Sequence, residues 1–240
     1  MSDADTIRAP KGLAGVIADD SAISNVLVDP PRLIYRGYPA EELAELCRYE
    51  EVAHMLWYGE LPTAGELEAL REKERSRRDI NPQLIDLAFQ LARQDAHPMD
   101  LLQAGAVLIG AEDRREERSR EVLLDQAITV WAKLPTLVAA YRCFRHDEQP
   151  VEPDPELPFA ENFLQMCFDE KPSEEAADAL DTSLILYAEH GFNASTFTAR
   201  VVASTESDLY SAASSAVGAL KGALHGGANE KVMEMLAEFD

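Results

Sequence analysis

The chain has 240 residues, enough for one or two domains with a sizeable core, and its 46% hydrophobic content lies in the globular range. Its formal net charge of −22 argues against nucleic acid and acidic membrane as partners, because both would repel such a surface. Arginine outnumbers lysine, and an acidic, lysine-poor surface suits a high-salt cytoplasm where screening relieves self-repulsion; a GC-rich genome favouring arginine leaves the same pattern.

The N-terminus MSDADTIRAP is polar and lacks an apolar signal region, and no run approaches the length of a transmembrane helix. From Ala14 to Tyr38 the chain is rich in Val, Ile and Tyr and is broken at Asp29-Pro30-Pro31, which predicts short strands around a turn. Residues 1–38 therefore read as an extended N-terminal segment and residues 39–240 as helical. Glu41–Tyr58 has apolar residues near helical spacing and stops at Gly59. Cys47 falls in this run; with Cys143 and Cys167 it predicts reduced, buried thiols in a cytoplasmic protein, without a disulfide framework or a CxxC metal site.

Thr63 is positioned to cap a charged helix reaching Arg78, whose basic cluster Arg71–Arg78 reads as a solvated face balanced by Glu72 and Glu74. Asn81-Pro82 opens a helix to Arg93, and His97-Pro98 precedes an apolar helix ending near Gly110. Ser119 to about Arg145 is a long candidate that Pro135 should kink, followed by the proline- and acid-rich loop His146–Pro158. Helical pattern resumes over Phe159–Phe168 and Ser173–His190, then over Ala194–Ser204 and Ser207–Lys221. A last candidate opens at Gly226-Gly227 and runs to roughly Ala237. No alternation of strand and helix supports a Rossmann fold or a barrel, so the fold class is mostly α with a small N-terminal β element.

Two histidines carry the chemistry. His190 lies in LILYAEHGFNASTFTAR, three residues before the cap candidate Asn193, and His225 lies in GALKGALHGGANEKVM, beside Gly226-Gly227. A helix start offers free N–H groups and a partial positive charge, which favour a bound anion and a neutral imidazole able to donate to a carbonyl. The pair suits a small carboxylate and proton movement at a carbonyl; the other reading is two histidines satisfied at helix ends. Phe192 and Phe197 read as packing. His54, His97 and His146 read as helix-face, pre-cap and loop residues, and neither HExxH nor GxSxG is present, so no metal site or serine nucleophile is expected.

LYAEHGFNASTFTARV, followed by SDLYSAASSAVGALKGALHGGANE, closely resembles the citrate synthase family, especially its bacterial 2-methylcitrate synthase branch. KGLAGVIADDSAIS, LIYRGYPAEELAE, EEVAHMLWYGELPT, HPMDLLQAGAVLIGAED and ENFLQMCF continue the likeness in the family's order across residues 11–237. The resemblance implies the family's large helical domain and a condensation of acetyl-CoA or propionyl-CoA with oxaloacetate. It implies His225 as the catalytic donor to the enolate oxygen, and His190 as the oxaloacetate-binding histidine with Asn193 beside it. No cofactor is implied, acyl-CoA being a substrate, and no coenzyme A-binding residue is assigned.

The family runs on well beyond the length of this chain, so its small domain, a further histidine, substrate arginines and the aspartate base are expected to have no counterpart before Asp240. The rival expectation is a catalytically silent fragment or interaction partner. On either reading oxaloacetate binding is expected to be weak, and the chain alone is not expected to turn over acyl-CoA. The resemblance also implies a homodimer, for which Ala212, Ala213, Ala216, Gly218 and Ala219 would permit close helix approach.

Overall fold

The computed structural model describes residues 19–113 and 115–227, together with Lys231 and Met235. Three antiparallel strands, β1 (Ser24–Val28), β2 (Pro31–Tyr35) and β3 (Tyr38–Pro39), pair in sequence order, with Ser24 opposite Tyr35. A cis Asp29–Pro30 peptide turns the first hairpin, and Arg36 and Gly37, both at positive φ, turn the second. Residues 1–18 of the expected extended segment lie outside the described residues.

Ten helices follow among the described residues: α1 (Ala40–Leu46), α2 (Tyr49–Tyr58), α3 (Ala64–Arg75), α4 (Pro82–Arg93), α5 (Pro98–Glu112), α6 (Arg120–Arg145), α7 (Phe159–Phe168), α8 (Glu174–Leu186), α9 (Ala194–Ser204) and α10 (Leu209–Leu220). Most of their starts follow local cap chemistry. The Thr63 hydroxyl accepts from Glu66 N at 3.3 Å while Glu66 accepts from Thr63 N at 2.8 Å, a reciprocal capping box. Asn81 accepts from Leu84 N at 2.8 Å with Pro82 at the first helical position, and Ser119, Ser173 and Asp208 cap α6, α8 and α10 in the same way. His97 does so for α5, accepting from Met99 N at 3.1 Å.

Long α6 is the spine, packing against α3, α4, α5, α7 and α10 and continuing through Pro135 without ending. It is 26 residues long and apolar enough over an 18-residue window to cross a membrane by length and composition, which corrects the expectation that no run approaches that length. Its buried residues, among them Val130, Leu137, Ala140 and Tyr141, meet neighbouring helices instead, and Leu84, Ala88, Leu101, Ile109 and Tyr210 complete that core. A second core joins Tyr35 of β2 to Leu43, Val52, Met55 and Ile185, fastening the small sheet to α1, α2 and α8.

Four expectations need correction. The run 41–58 is two helices, because Arg48 is extended and its N–H donates to Glu51 at 2.7 Å, starting a new helix at Tyr49. The α8 helix stops at Leu186 rather than His190: the buried Tyr35 phenol donates to the carbonyls of Ile185 and Leu186, both at 3.1 Å, and so satisfies the helix end. The basic cluster is no solvated face. Arg78 is 2% exposed and Glu74 equally so, the two forming a bidentate pair, while Arg77 reaches Asp125 on α6 at 2.6 Å. Phe197 is 39% exposed rather than packed. All three cysteines are free, Cys143 and Cys167 buried and Cys47 half-buried.

Candidate active site

The C-terminal end of α8, the N-terminus of α9 and the segment after α10 enclose a cleft of about 680 Å³. Its walls include His190, Asn193 and His225, so the three residues singled out from the sequence lie around one space, though separated by up to 35 positions. Asn193 is extended and its side-chain oxygen accepts from Thr196 N at 2.9 Å, which starts α9 at Ala194. His190 is exposed on the tight turn between α8 and α9, within reach of whatever the cleft holds.

His225 is half-buried and is placed by the way α10 ends. Its N–H donates to Gly222 O at 2.8 Å, and Gly226 N–H donates back to Leu220 O at 3.0 Å. A Cβ at Gly226 would lie 2.2 Å from that Leu220 oxygen, so only glycine fits this closure. Gly227 is helical, as expected for the start of the next helix, but residues 228–230, 232–234 and 236–240 lie outside the described residues, and with them most of the candidate that runs to Ala237.

The structure adds partners that the local sequence does not announce. Ser195, in the first turn of α9, has its Oγ 2.8 Å from Nε2 of His225. A serine hydroxyl can donate to Nε2 or accept from it; where it donates, the ring proton is left on Nδ1, free to donate elsewhere. Arg200, one helical face further along α9, also lines the cleft; its guanidinium stacks on Phe192 at 4.9 Å and pairs with Asp19. Glu189 is the one carboxylate among the described residues lining the cleft, and its Oε1 accepts from Ser24 Oγ at 3.0 Å and from Gly191 N.

The remaining histidines are placed elsewhere. His54 is buried on α2, stacked on Tyr58 at 4.5 Å with Nδ1 3.2 Å from Glu60 O; His97 caps α5, and His146 ends α6. Among the described residues no group of three or more His, Cys, Asp or Glu side chains gathers as a metal site would require.

A chain of this fold has known relatives. The family described as citrate synthase, C-terminal domain, matches residues 12–240. This chain belongs to the citrate synthase family. It is 47% identical over 229 residues to a 2-methylcitrate synthase of Mycobacterium tuberculosis, covering 95% of this chain and 58% of that protein. It is 45% identical over 239 residues to a citrate synthase of Mycolicibacterium smegmatis, covering 99% of this chain and 63% of that protein. A solved citrate synthase of Thermoplasma acidophilum, in a ternary complex with carboxymethyl coenzyme A and oxaloacetate, superposes with a TM-score of 0.88 at 30% identity, covering 95% of this chain and 60% of that one. The chain thus spans about three-fifths of the length of the family members it matches.

Proposed function

We propose that this chain forms the histidine side of a site that condenses a short-chain acyl-CoA with oxaloacetate, releasing a tricarboxylate and coenzyme A. The observation that carries the reading is the convergence of His190, Asn193 and His225 on one cleft, with Ser195 against His225 Nε2. His225 donates from Nδ1 to the thioester carbonyl oxygen while a carboxylate base takes the adjacent carbon-bound proton, so charge developing on oxygen meets a fixed donor. His190 donates to the ketone of oxaloacetate and makes its carbon the better electrophile. The new carbon–carbon bond leaves a thioester, which water cleaves to the tricarboxylate and free thiol. Acetyl-CoA and propionyl-CoA both fit this chemistry, differing by one methylene, which is worth only about 1–3 kcal/mol in a pocket.

The thermal midpoint with oxaloacetate tests the reading, since a ligand bound only by the folded state raises it. Oxaloacetate should raise the midpoint of the wild-type chain and not that of His190→Ala; an equal rise in both contradicts the assignment.

One observation favours a second reading, a catalytically silent chain. Glu189, the one carboxylate among the described residues lining the cleft, is tied through Oε1 to Ser24 and Gly191, which gives it a structural task. On that reading acetyl-CoA and propionyl-CoA release no thiol above background. Robust release that is abolished in His225→Ala would instead mean that a base is supplied from outside these residues.

The same reading places the protein in the cytoplasm as a homodimer, with no resident cofactor. Free cysteines suit a reducing compartment. The small residues of α10 are largely met within the chain: Ala212 and Ser214 are buried, and Gly218 faces Gln103 of α5. Exposed Val107 on α5 and Phe197 and Val201 on α9 are therefore the better apolar surface for a second copy. Light scattering at micromolar concentration should give twice the monomer mass.

A further inference from the structure

The small N-terminal sheet has no part in the chemistry just described, yet it is tied directly to the turn that carries His190. Three contacts make the tie. The phenol of Tyr35, on β2, is fully buried, and burial pushes its titration above the ordinary tyrosine value, so it remains a donor. It donates to Ile185 O and Leu186 O at the end of α8 and accepts from Glu189 N at 3.4 Å. Ser24, paired with Tyr35 in the hairpin register, donates its hydroxyl to Glu189 Oε1 at 3.0 Å. The same oxygen accepts from Gly191 N, closing a ring over His190.

Gly191 has φ +87°, a conformation that side-chain-bearing residues rarely adopt, and the Ser24 hydroxyl stands 3.9 Å from where its Cβ would be. His190 is therefore held between two fixed neighbours, Glu189 on one side and Gly191 on the other, that share a single carboxylate oxygen. An exposed side chain on a turn gains a fixed direction only if the turn itself is fixed, and here the fixing groups come from a strand 165 positions away in sequence.

We infer that Glu189 is a positioning residue for His190, its carboxylate clamping the His190 turn to Ser24 of β1. The inference rests on His190 as the oxaloacetate-binding histidine but is measured separately from it. It gives the N-terminal sheet a role in the site: the sheet sets the direction from which His190 meets the substrate, without touching the substrate.

The test uses the whole 240-residue chain with Glu189→Ala, Glu189→Gln and Ser24→Ala. The ligand-free readouts are hydrogen exchange at the Gly191 amide and the His190 imidazole resonances; the ligand readout is oxaloacetate affinity. Losing a hydrogen bond to a charged group should speed Gly191 exchange and weaken oxaloacetate about tenfold in Glu189→Ala. The His190 resonances should shift in the same variant. Glu189→Gln keeps the accepting oxygen and should restore wild-type exchange and affinity, which general loosening of the fold would not produce. Ser24→Ala should shift the His190 resonances in the direction of Glu189→Ala. Wild-type exchange and resonances in Glu189→Ala overturn the inference. If that variant does not fold, unmoved His190 resonances in Ser24→Ala overturn it. If the wild-type chain shows no response to oxaloacetate, the functional reading falls, and the exchange data still decide the role of Glu189.

Discussion

Asp181 on α8 accepts the backbone N–H of Tyr49, the first residue of α2, with its two carboxylate oxygens at 3.3 and 3.1 Å. A side chain from one helix thus caps another, and Glu50 of α2 repeats the arrangement by accepting from Phe159 N at the start of α7 at 3.4 Å. Both carboxylates are buried.

Burial, then the neighbouring Glu50 charge, pushes Asp181 up to about 6. Its folded state holds a proton more tightly than the unfolded chain, so this group's contribution to stability is full at low pH. That contribution is lost as pH rises from the unfolded carboxylate value toward about 6, and is constant above it. Asp181→Asn keeps an oxygen for Tyr49 N and removes the charge. Its stability relative to wild type should therefore rise across that window and level off at a gain on the order of 2 kcal/mol. Urea denaturation at several pH values checks it; a constant difference contradicts it.

Arg78→Ala should be among the most damaging single changes away from the cleft. The guanidinium is 2% exposed, pairs with Glu74 at 2.7 and 2.8 Å, and donates to Asp154 O at 2.6 Å and Leu157 O at 3.0 Å. Removing it leaves a buried carboxylate and two loop carbonyls without their donor, which costs about 3–5 kcal/mol. Arg78→Met combined with Glu74→Leu should cost less than Arg78→Ala alone, measured by the same denaturation.

Gly226→Ala and Gly227→Ala form a matched pair. The first places a methyl 2.2 Å from Leu220 O and should cost about 1–3 kcal/mol while moving the His225 imidazole resonances. The second meets nothing nearer than 4.0 Å and should leave both unchanged. Equal effects would contradict the closure described for α10.

Where structure depends on neighbours in sequence, the sequence was readable. Asn81-Pro82 and Asn193 mark helix starts because the cap and the group it satisfies are three residues apart. His190, Asn193 and His225 stood out by the same local logic, aided by the family resemblance. The break at Cys47–Arg48 was not readable, since half of its cap is Asp181, 132 positions on. Arg78 shows no local sign of burial, because the carbonyls that receive it belong to the loop before α7. Ser195 carries no local sign of a role, because its contact with His225 spans 30 positions.

The most direct test of the cleft is an oxaloacetate titration of the chain followed by imidazole NMR, with only five histidines to resolve. Binding is predicted to be weak, roughly millimolar, with a saturable shift at His190, a smaller one at His225, and none at His54, His97 or His146. His190→Ala should abolish the response at His225. Five histidines moving alike, or His190 and His225 standing still while oxaloacetate is demonstrably bound, would contradict the account.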